Sequence, residues 1–197
     1  MSSQPPERWR LFVAVPAPDV LRSSLADAVA GLRRLPGVDA SWRWSTADGW
    51  HVTLAFLGWT AASRVPALTD ALRSTLVGAA PFTVATGGLG AFPSPRAARV
   101  IWYGIHDPER RLRSLAEAIR DGLEAEPGPF RGHLTLARAR DRNGADGSPL
   151  LSLRAPDGVL PVDDVVLYRS HLGRGPARYE ALERVALAGA IPSVAAR

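Results

Sequence analysis

The chain contains no cysteine and no lysine, and its single methionine is the first residue. Without cysteine, the protein has no disulfide framework, no thiolate nucleophile and no cysteine-containing metal site. All 24 basic residues are therefore arginine, against 19 acidic residues, and the formal net charge is +5. A basic surface favours polyanions, and the planar guanidinium matches phosphate geometry. A complete absence of lysine is also typical of genomic compositional bias, so the charge permits a nucleic-acid substrate without requiring one.

Long apolar runs are absent too. Charged residues, glycine or proline interrupt every stretch that approaches the roughly 20 apolar residues of a membrane span. Residues 1–8 are polar and contain proline, with no apolar signal region, which favours a cytoplasmic protein without membrane association. The content of 46% hydrophobic and 22% charged residues is ordinary for a soluble globular protein, and 197 residues suffice for one domain or a compact bilobal unit.

Two stretches share one pattern. Residues 50–58 read WHVTLAFLG, and residues 132–138 read GHLTLAR, 82 residues further along. In each, apolar residues alternate with a histidine and a threonine two positions apart, which predicts a β-strand that presents both polar side chains on one face. A single His-x-Thr pair is often an ordinary half-exposed pair. Two such pairs among only 4 histidines have chance odds of roughly one in a hundred, so the repetition predicts a shared chemical role.

The remaining pattern alternates between strand and helix signals. Strands are predicted at 11–15, at 82–86 and 99–105 (joined by a Gly- and Pro-rich loop, 87–96), at 162–171 and at 178–187. A short extended segment is predicted at 41–44, a surface loop at 141–149 and a hairpin turn at 173–176. Helices are predicted from Asp19 to Pro36, from Ser63 to Gly78, and from Asp107, which is followed by a proline suited to a first helical turn.

This order predicts an α+β fold. The echoed motif predicts a bilobal pseudo-twofold duplication, with two antiparallel sheets facing a central cleft and helices on the outside. We expect residues 1–9 to form a loose tail, residues 10–188 a single bilobal domain, and residues 189–197 a C-terminal tail.

Two facing imidazoles form an acid–base pair. Their ordinary pKa near 6.5 lets one be neutral and the other protonated around neutral pH, and the threonine hydroxyls can hold a phosphate between them. Opposed histidines also suit in-line displacement at phosphorus, in which the attacking and leaving oxygens lie on opposite sides. The sequence offers no dense carboxylate cluster, so we expect neither a metal nor another cofactor.

Other chemistries are weaker alternatives. A zinc site would need further ligands beside the two histidines, where the strands supply threonine. A serine hydrolase would need a Gly-x-Ser-x-Gly elbow, which is absent. The glycines at 87–90 match neither a phosphate loop nor a dinucleotide fingerprint and indicate a turn. His106 and His171 have no threonine two positions later and are predicted to be surface histidines.

The two motifs resemble those of the two-histidine phosphoesterase superfamily, specifically its RNA 2′,3′-cyclic phosphodiesterase (2′–5′ RNA ligase) branch. The resemblance covers most of the chain: residues 10–15 resemble the family's first strand, residues 50–58 its first motif, and residues 133–138 its second, including Arg138. The C-terminal hairpin is similar at Tyr168, Arg169, Ser170, Gly175, Tyr179 and Leu182. One departure is Gly132, where the family usually has proline before the second histidine.

The resemblance implies hydrolysis of a terminal ribonucleoside 2′,3′-cyclic phosphate to a 2′-phosphate without a metal. His51 would be the proton donor to the leaving 3′ oxygen, and His133 the proton acceptor that activates water. Thr53 and Thr135 would bind the phosphate, helped by Arg138. Tyr179 would stack or hydrogen-bond near the cleft, although a place in the core is at least as good an interpretation of this tyrosine. Run in reverse, the same site would join RNA ends in a 2′–5′ linkage without ATP.

Two alternatives stay open. The enzyme could cleave 2′–5′ oligoadenylate or ADP-ribose cyclic phosphate with the same motifs, or the chain could be a non-catalytic module that binds RNA ends. The expected partner is RNA with a cyclic phosphate end, or a related nucleotide, and nothing in the sequence demands more than a monomer.

Overall fold

The computed structural model describes residues 6–171, 173 and 177–189. The strands are β1 (Arg8–Pro16), β2 (Trp42–Trp44), β3 (His51–Ala61), β4 (Phe82–Phe92), β5 (Val100–His106), β6 (His133–Ala139), β7 (Gly158–Val162), β8 (Asp164–His171) and β9 (Arg178–Ala186). The helices are α1 (Asp19–Arg33), α2 (Val38–Ser41), α3 (Val65–Thr75), α4 (Arg111–Gly122) and α5 (Ser148–Leu151). The predicted mixture of helices with antiparallel strands is confirmed. None of these helices is long and apolar enough to cross a membrane.

The strands form one curled antiparallel sheet in the order β7-β4-β5-β6-β3-β1-β8-β9. The short β2 and β3 both pair with the same side of β6, β2 at residues 137–139 and β3 at Leu134. The two strands that carry the His-x-Thr motifs, β3 and β6, are therefore neighbours at the centre of the sheet. All strand pairs are antiparallel, so the two motifs run in opposite directions past each other.

The prediction of two separate sheets was wrong. The halves β3-β1-β8-β9 and β6-β5-β4-β7 are joined through the pair Val52 and Leu134, each of which directly follows a motif histidine. Backbone pairing at this point satisfies polar groups that would otherwise be buried between two sheets. The join also sets the distance between the two histidines. The bilobal duplication itself stays a prediction.

The long helices follow the predicted apolar spacing. In α1, buried residues recur every three or four positions, namely Leu21, Leu25, Val29 and Leu32. In α4 the buried set is Leu112, Leu115, Ala116 and Ile119. Helix α4 begins at Arg111, later than predicted, because residues 108–109 form a turn. Asp107 nevertheless caps the turn: its Oδ2 accepts a hydrogen bond from the backbone N–H of Arg113 at 3.0 Å.

Several strands depart from the predicted bounds. β3 continues past Gly58, which pairs with Leu11, to Ala61. β4 runs through residues 87–92, which were predicted as a loop, because Phe92 still pairs with Val100 of β5. β7 was missed and pairs along the outer edge of β4, and the short α2 and α5 were missed as well. In the predicted C-terminal hairpin, β8 and β9 are paired at one end through Asp164 with Ala186 and at the other through His171 with Arg178. Turn residues 174–176 lie outside the described residues.

A single large apolar cluster supports both halves of the sheet. It combines Leu11, Val13 and Leu54 of one half with Leu134 and Leu160 of the other. A smaller cluster surrounds Trp42, which is 1% exposed. Because the same core backs both motif strands, the spacing between their polar faces is held by packing on the opposite face.

Candidate active site

Strand β3 presents its motif through a β-bulge. Across β1, Thr53 pairs with Ala14 and the next paired residue is Ala55, so Leu54 has no partner. One extra residue resets the alternation of side chains. Phe56, five residues after His51, is therefore exposed and lines the same cavity as the histidine, although strict alternation would place it on the opposite face.

Strand β6 contains the matching bulge. Thr135 pairs with Trp102 of β5 and the next pair is Ala137 with Ile101, which leaves Leu136 without a partner. Arg138, again five residues after the motif histidine, is exposed and lines the cavity. The two half-sites thus share backbone geometry and differ in their last side chain, which is phenylalanine in one and arginine in the other.

Each imidazole is oriented by an identical hydrogen bond. Nδ1 of His51 donates to the carbonyl oxygen of Gly49, and Nδ1 of His133 donates to that of Arg131, both at 2.7 Å. Because a carbonyl only accepts, the proton of a neutral imidazole lies on Nδ1. Nε2 is then the atom of each ring that gains or loses a proton.

A cavity of about 850 Å³ connects the two motif strands. It is lined by all six residues predicted from the sequence, namely His51, Thr53, His133, Thr135, Arg138 and Tyr179. The structure thus brings the predicted residues together, and their individual roles stay predictions.

The cavity is strongly positive. Five arginines line it, namely Arg10, Arg43, Arg120, Arg131 and Arg138, and no aspartate or glutamate is among its described lining residues. Arg120 is committed to the fold, since its Nε donates to the carbonyl of Leu54 at 2.8 Å and its Nη1 to that of Gly128 at 2.7 Å. The cavity is suited to an anion with several negative charges.

Aromatic rings frame His51. The centroid of the Phe12 ring lies 4.8 Å from the His51 ring, and Tyr179 meets the imidazole edge-on at 5.0 Å and 89°. Tyr168 is in turn stacked on Phe12 at 5.2 Å. Tyr179 therefore contacts both His51 and the surrounding aromatic cluster, and its role toward a substrate stays a prediction.

Aromatic rings also surround His133, but they are different residues from those around His51. Phe92 lies edge-on to it at 5.1 Å and 82°, and Trp102 lies 6.4 Å away. Trp102 occupies the space left by Gly90, where a Cβ atom would lie 2.1 Å from the tryptophan ring. The glycine run at 87–90 therefore belongs to a strand rather than a turn, and Gly90 makes room for a ring beside the second histidine.

Burial lowers the pKa of both histidines. The pKa of His51 falls to about 4, mainly through desolvation, with smaller contributions from the positive charges of Arg138 and His133. The pKa of His133 is also lowered, first by burial and then by Arg138. Both rings are therefore neutral near pH 7 in the free protein, although an ordinary pKa near 6.5 would let one of them be protonated.

Several residues that line the cavity were not predicted from the sequence. Arg43 of β2 lies directly across from Arg138, and its signal was the short extended segment at 41–44. Phe56 could have been predicted by aligning the two motifs, because it follows His51 by the same five residues by which Arg138 follows His133. His171 was predicted as a surface histidine, but it lies at the cavity, and its Nε2 contacts Oε2 of Glu180 at 2.8 Å. His106 is exposed at the end of β5 and does not line the cavity.

Gly132 has a steric reason in this chain. A Cβ atom at this position would lie 3.2 Å from the Cβ of Ile105, which is closer than most side chains pack. The glycine allows β5 to carry isoleucine beside the second motif, and it takes away no chemical group from the site.

The fold and the cavity define a class of protein in which two His-x-Thr strands of one antiparallel sheet line a common arginine-rich cavity. The chain belongs to the 2′-5′ RNA ligase superfamily, whose model matches residues 22–174. The family predicted from the motifs is confirmed.

Curated relatives carry the name RNA 2′,3′-cyclic phosphodiesterase, which confirms the predicted class of enzyme. The relative from Escherichia coli (strain K12) is 31% identical over 188 residues, which cover 92% of this chain and 98% of the relative. The relative from Geobacillus stearothermophilus is also 31% identical, over 93% of this chain, but the chain spans only 59% of its length.

Solved structures agree with this assignment. The crystal structure of E. coli LigT complexed with NADP+ has a TM-score of 0.72 and 31% identity, and the match covers 92% of this chain and 99% of LigT. The crystal structure of TT0787 of Thermus thermophilus has a TM-score of 0.73 and 28% identity, over 91% and 98% of the two chains.

Proposed function

We propose that the protein hydrolyses the 2′,3′-cyclic phosphate at the 3′ end of RNA to a 2′-phosphate, with His51 and His133 as its acid–base pair. The observation that carries the proposal is the pair of matched half-sites on one cavity: same bulge, same Nδ1 hydrogen bond and same His-x-Thr face. The names of the relatives supply the substrate class.

The reaction balances with groups that line the cavity. Nε2 of His133 accepts a proton from water as its oxygen forms a bond to phosphorus. The bond between phosphorus and the 3′ oxygen breaks, and Nε2–H of His51 gives that oxygen its proton. Proton transfer by a positioned side chain contributes about 10²–10⁴-fold to the rate. Thr53 and Thr135 donate hydrogen bonds to the non-bridging oxygens, and Arg138 balances their charge.

Substrate binding is part of this mechanism. Because both rings are neutral in the free protein at pH 7, the donor must gain a proton when the site fills. A phosphodiester anion between the rings favours the protonated form of each imidazole, which opposes the effect of burial. The division of roles, with His51 as donor, follows the resemblance to the family and is proposed on that basis.

The proposal includes three further points. The reaction needs no metal, because the two imidazoles and Arg138 supply both proton transfer and charge balance. The reverse reaction would join a cyclic phosphate to a 5′-hydroxyl in a 2′–5′ linkage. The matched bulges at Leu54 and Leu136 support a pseudo-twofold duplication of the two halves. Monomeric state and cytoplasmic location stay predictions.

The test is turnover of an RNA oligonucleotide ending in a 2′,3′-cyclic phosphate, in EDTA. We expect a 2′-phosphate product from the wild type, and a loss of kcat of about 10²–10⁴-fold in each of His51→Ala and His133→Ala. His106→Ala is the matched control, because His106 is exposed and does not line the cavity, and it should keep full activity.

Other outcomes point to the alternatives. Turnover that persists in either cavity variant would contradict the acid–base pair. Turnover of 2′–5′ oligoadenylate or ADP-ribose cyclic phosphate alone would change the substrate. Tight binding of the RNA end that survives loss of one imidazole, without product, would indicate a binding module.

A further inference from the structure

A second groove, of about 610 Å³, opens beside the active-site cavity. It lies between α1 and β2 and shares three lining residues with the cavity, namely Arg43, Trp44 and Ser45. We call it the α1–β2 groove. The shared residues place the groove next to the cavity, so an extended ligand that passes over Arg43 would reach both.

The α1–β2 groove carries excess positive charge. Arg33, Arg43 and Arg140 line it, against one acidic residue, Asp39. Nε and Nη2 of Arg33 both donate to the Asp39 carboxylate at 3.1 Å, and Nε of Arg140 donates to the Asp39 carbonyl at 3.2 Å. Asp39 thus positions two guanidinium groups along the groove, and each retains further N–H donors for a ligand.

The junction between cavity and groove is also built from arginine. Arg43 and Arg138 are cross-strand partners on β2 and β6, and neither has a salt bridge or side-chain hydrogen bond within the part of the chain that the structure describes. Like charges directly opposite each other destabilise a sheet. A row of phosphates over this junction would relieve that repulsion.

Aromatic residues complete the groove. Trp42 and Trp50, which are 1% and 3% exposed, form its buried floor. Trp44, which is only partly buried and lines both the groove and the cavity, is the tryptophan that a base could contact. Arginines that follow a phosphate backbone, combined with an aromatic platform for bases, are the usual elements of a single-stranded nucleic-acid site.

We propose that the α1–β2 groove binds the single-stranded RNA on the 5′ side of the cyclic phosphate. The inference rests on the proposed function: a cyclic phosphate closes the 3′ end, so every other nucleotide must leave the cavity on the 5′ side. Phe12 and Phe56 line the cavity alone, whereas Arg43 lines both the cavity and the arginine-lined groove. The strand leaves through this groove, and the enzyme prefers RNA ends of several nucleotides.

The test compares a dinucleotide with a 10-nucleotide RNA, both ending in a 2′,3′-cyclic phosphate. For the wild type we expect a KM for the 10-mer about tenfold below that for the dinucleotide. The double variant Arg33→Gln with Arg140→Gln should lose this advantage and keep its turnover of the dinucleotide. The control removes the same charge at two exposed arginines that line neither cavity, Arg64→Gln with Arg154→Gln, and should behave as wild type.

Binding of a 10-mer that ends in a 2′-phosphate, followed by fluorescence anisotropy, gives an independent readout. If two phosphate contacts are lost, the slope of log K against log[salt] should shrink by about 1.4 in the groove variant and not in the control. Equal affinity of the groove variant and the control would overturn the proposal, and so would turnover that does not depend on RNA length. If the groove binds an acidic peptide instead of RNA, turnover by the wild type would not depend on RNA length. If the wild type turns over neither RNA, the proposed function is contradicted. The binding measurement would still show whether the groove binds RNA.

Discussion

At the scale of single residues, the two motif histidines line the cavity and are both partly buried. Each ring is held by one backbone carbonyl and framed by aromatic side chains, and neither has a carboxylate partner among the described residues. A carboxylate would hold an imidazole in its protonated form, whereas the carbonyl bond to each ring raises its pKa less than burial lowers it. Both rings are therefore neutral near pH 7 in the free protein, and the positive charge of the cavity comes from arginine.

The low pKa of His51 predicts how stability depends on pH. Since the folded pKa of about 4 lies below the ordinary 6.5, the unfolded chain binds more protons between these values. The free energy of unfolding should be fully retained above pH 6.5 and should fall by about 2–3 kcal/mol as the pH approaches 4. His133, whose pKa is also lowered, adds a loss in the same direction.

Urea unfolding at pH 7 and pH 4.5 measures this effect. His51→Gln removes the titrating group and retains an amide that can donate to the Gly49 carbonyl. The difference in unfolding free energy between the two pH values should shrink in this variant. An unchanged difference would show that His51 does not carry the acid sensitivity.

At the scale of the elements, the strands that hold the site depend on space as much as on sequence pattern. β4 and β5 stay paired as far as Phe92 because Gly90 accommodates the ring of Trp102, which lies beside His133. Arg120 of α4 donates to the carbonyl of Leu54, the bulged residue of β3. The motif strands are thus held by neighbours that carry no part of the motif.

Two glycine substitutions should have opposite effects on stability. Gly90→Ala places a methyl group within 2.1 Å of the Trp102 ring and should cost about 1–3 kcal/mol through overpacking. Gly31→Ala, inside α1 with nothing within 4 Å of the new Cβ, should add about 0.5–1 kcal/mol. Chemical denaturation measures both. A Gly90→Ala variant as stable as the wild type would contradict the packing described for Trp102.

At the scale of the whole molecule, one sheet and one main core join the two half-sites. The seam between the halves is the pair Val52 and Leu134, both fully buried within the main apolar cluster. The halves cannot separate without opening that core. The distance between the two imidazoles is therefore a property of the complete fold.

This arrangement predicts unfolding in one cooperative transition. Leu134→Ala leaves a cavity at the seam and should cost about 2–5 kcal/mol without splitting the transition. Leu153→Ala is the control, because Leu153 is 42% exposed and its truncation should change stability by less than about 0.5 kcal/mol. Circular dichroism and tryptophan fluorescence should give coincident curves for all three proteins. Two separated transitions in the wild type would show that the halves fold independently.

The sequence by itself determined the two motif strands, the helices with apolar spacing, and six of the residues that line the cavity. These features depend on local rules: a period of two or about four residues, and a histidine and threonine that share one face of a strand. For the same reason, the family could be inferred from residues 50–58 and 133–138.

Only the tertiary structure decided that the halves form one sheet, that Leu54 and Leu136 are bulged, and that Arg43 lies opposite Arg138. Each of these depends on register between strands that are far apart in the chain, which no local pattern specifies. The charge state of the histidines was decided in the same way, because desolvation is set by the packing around each ring and not by its neighbours in sequence.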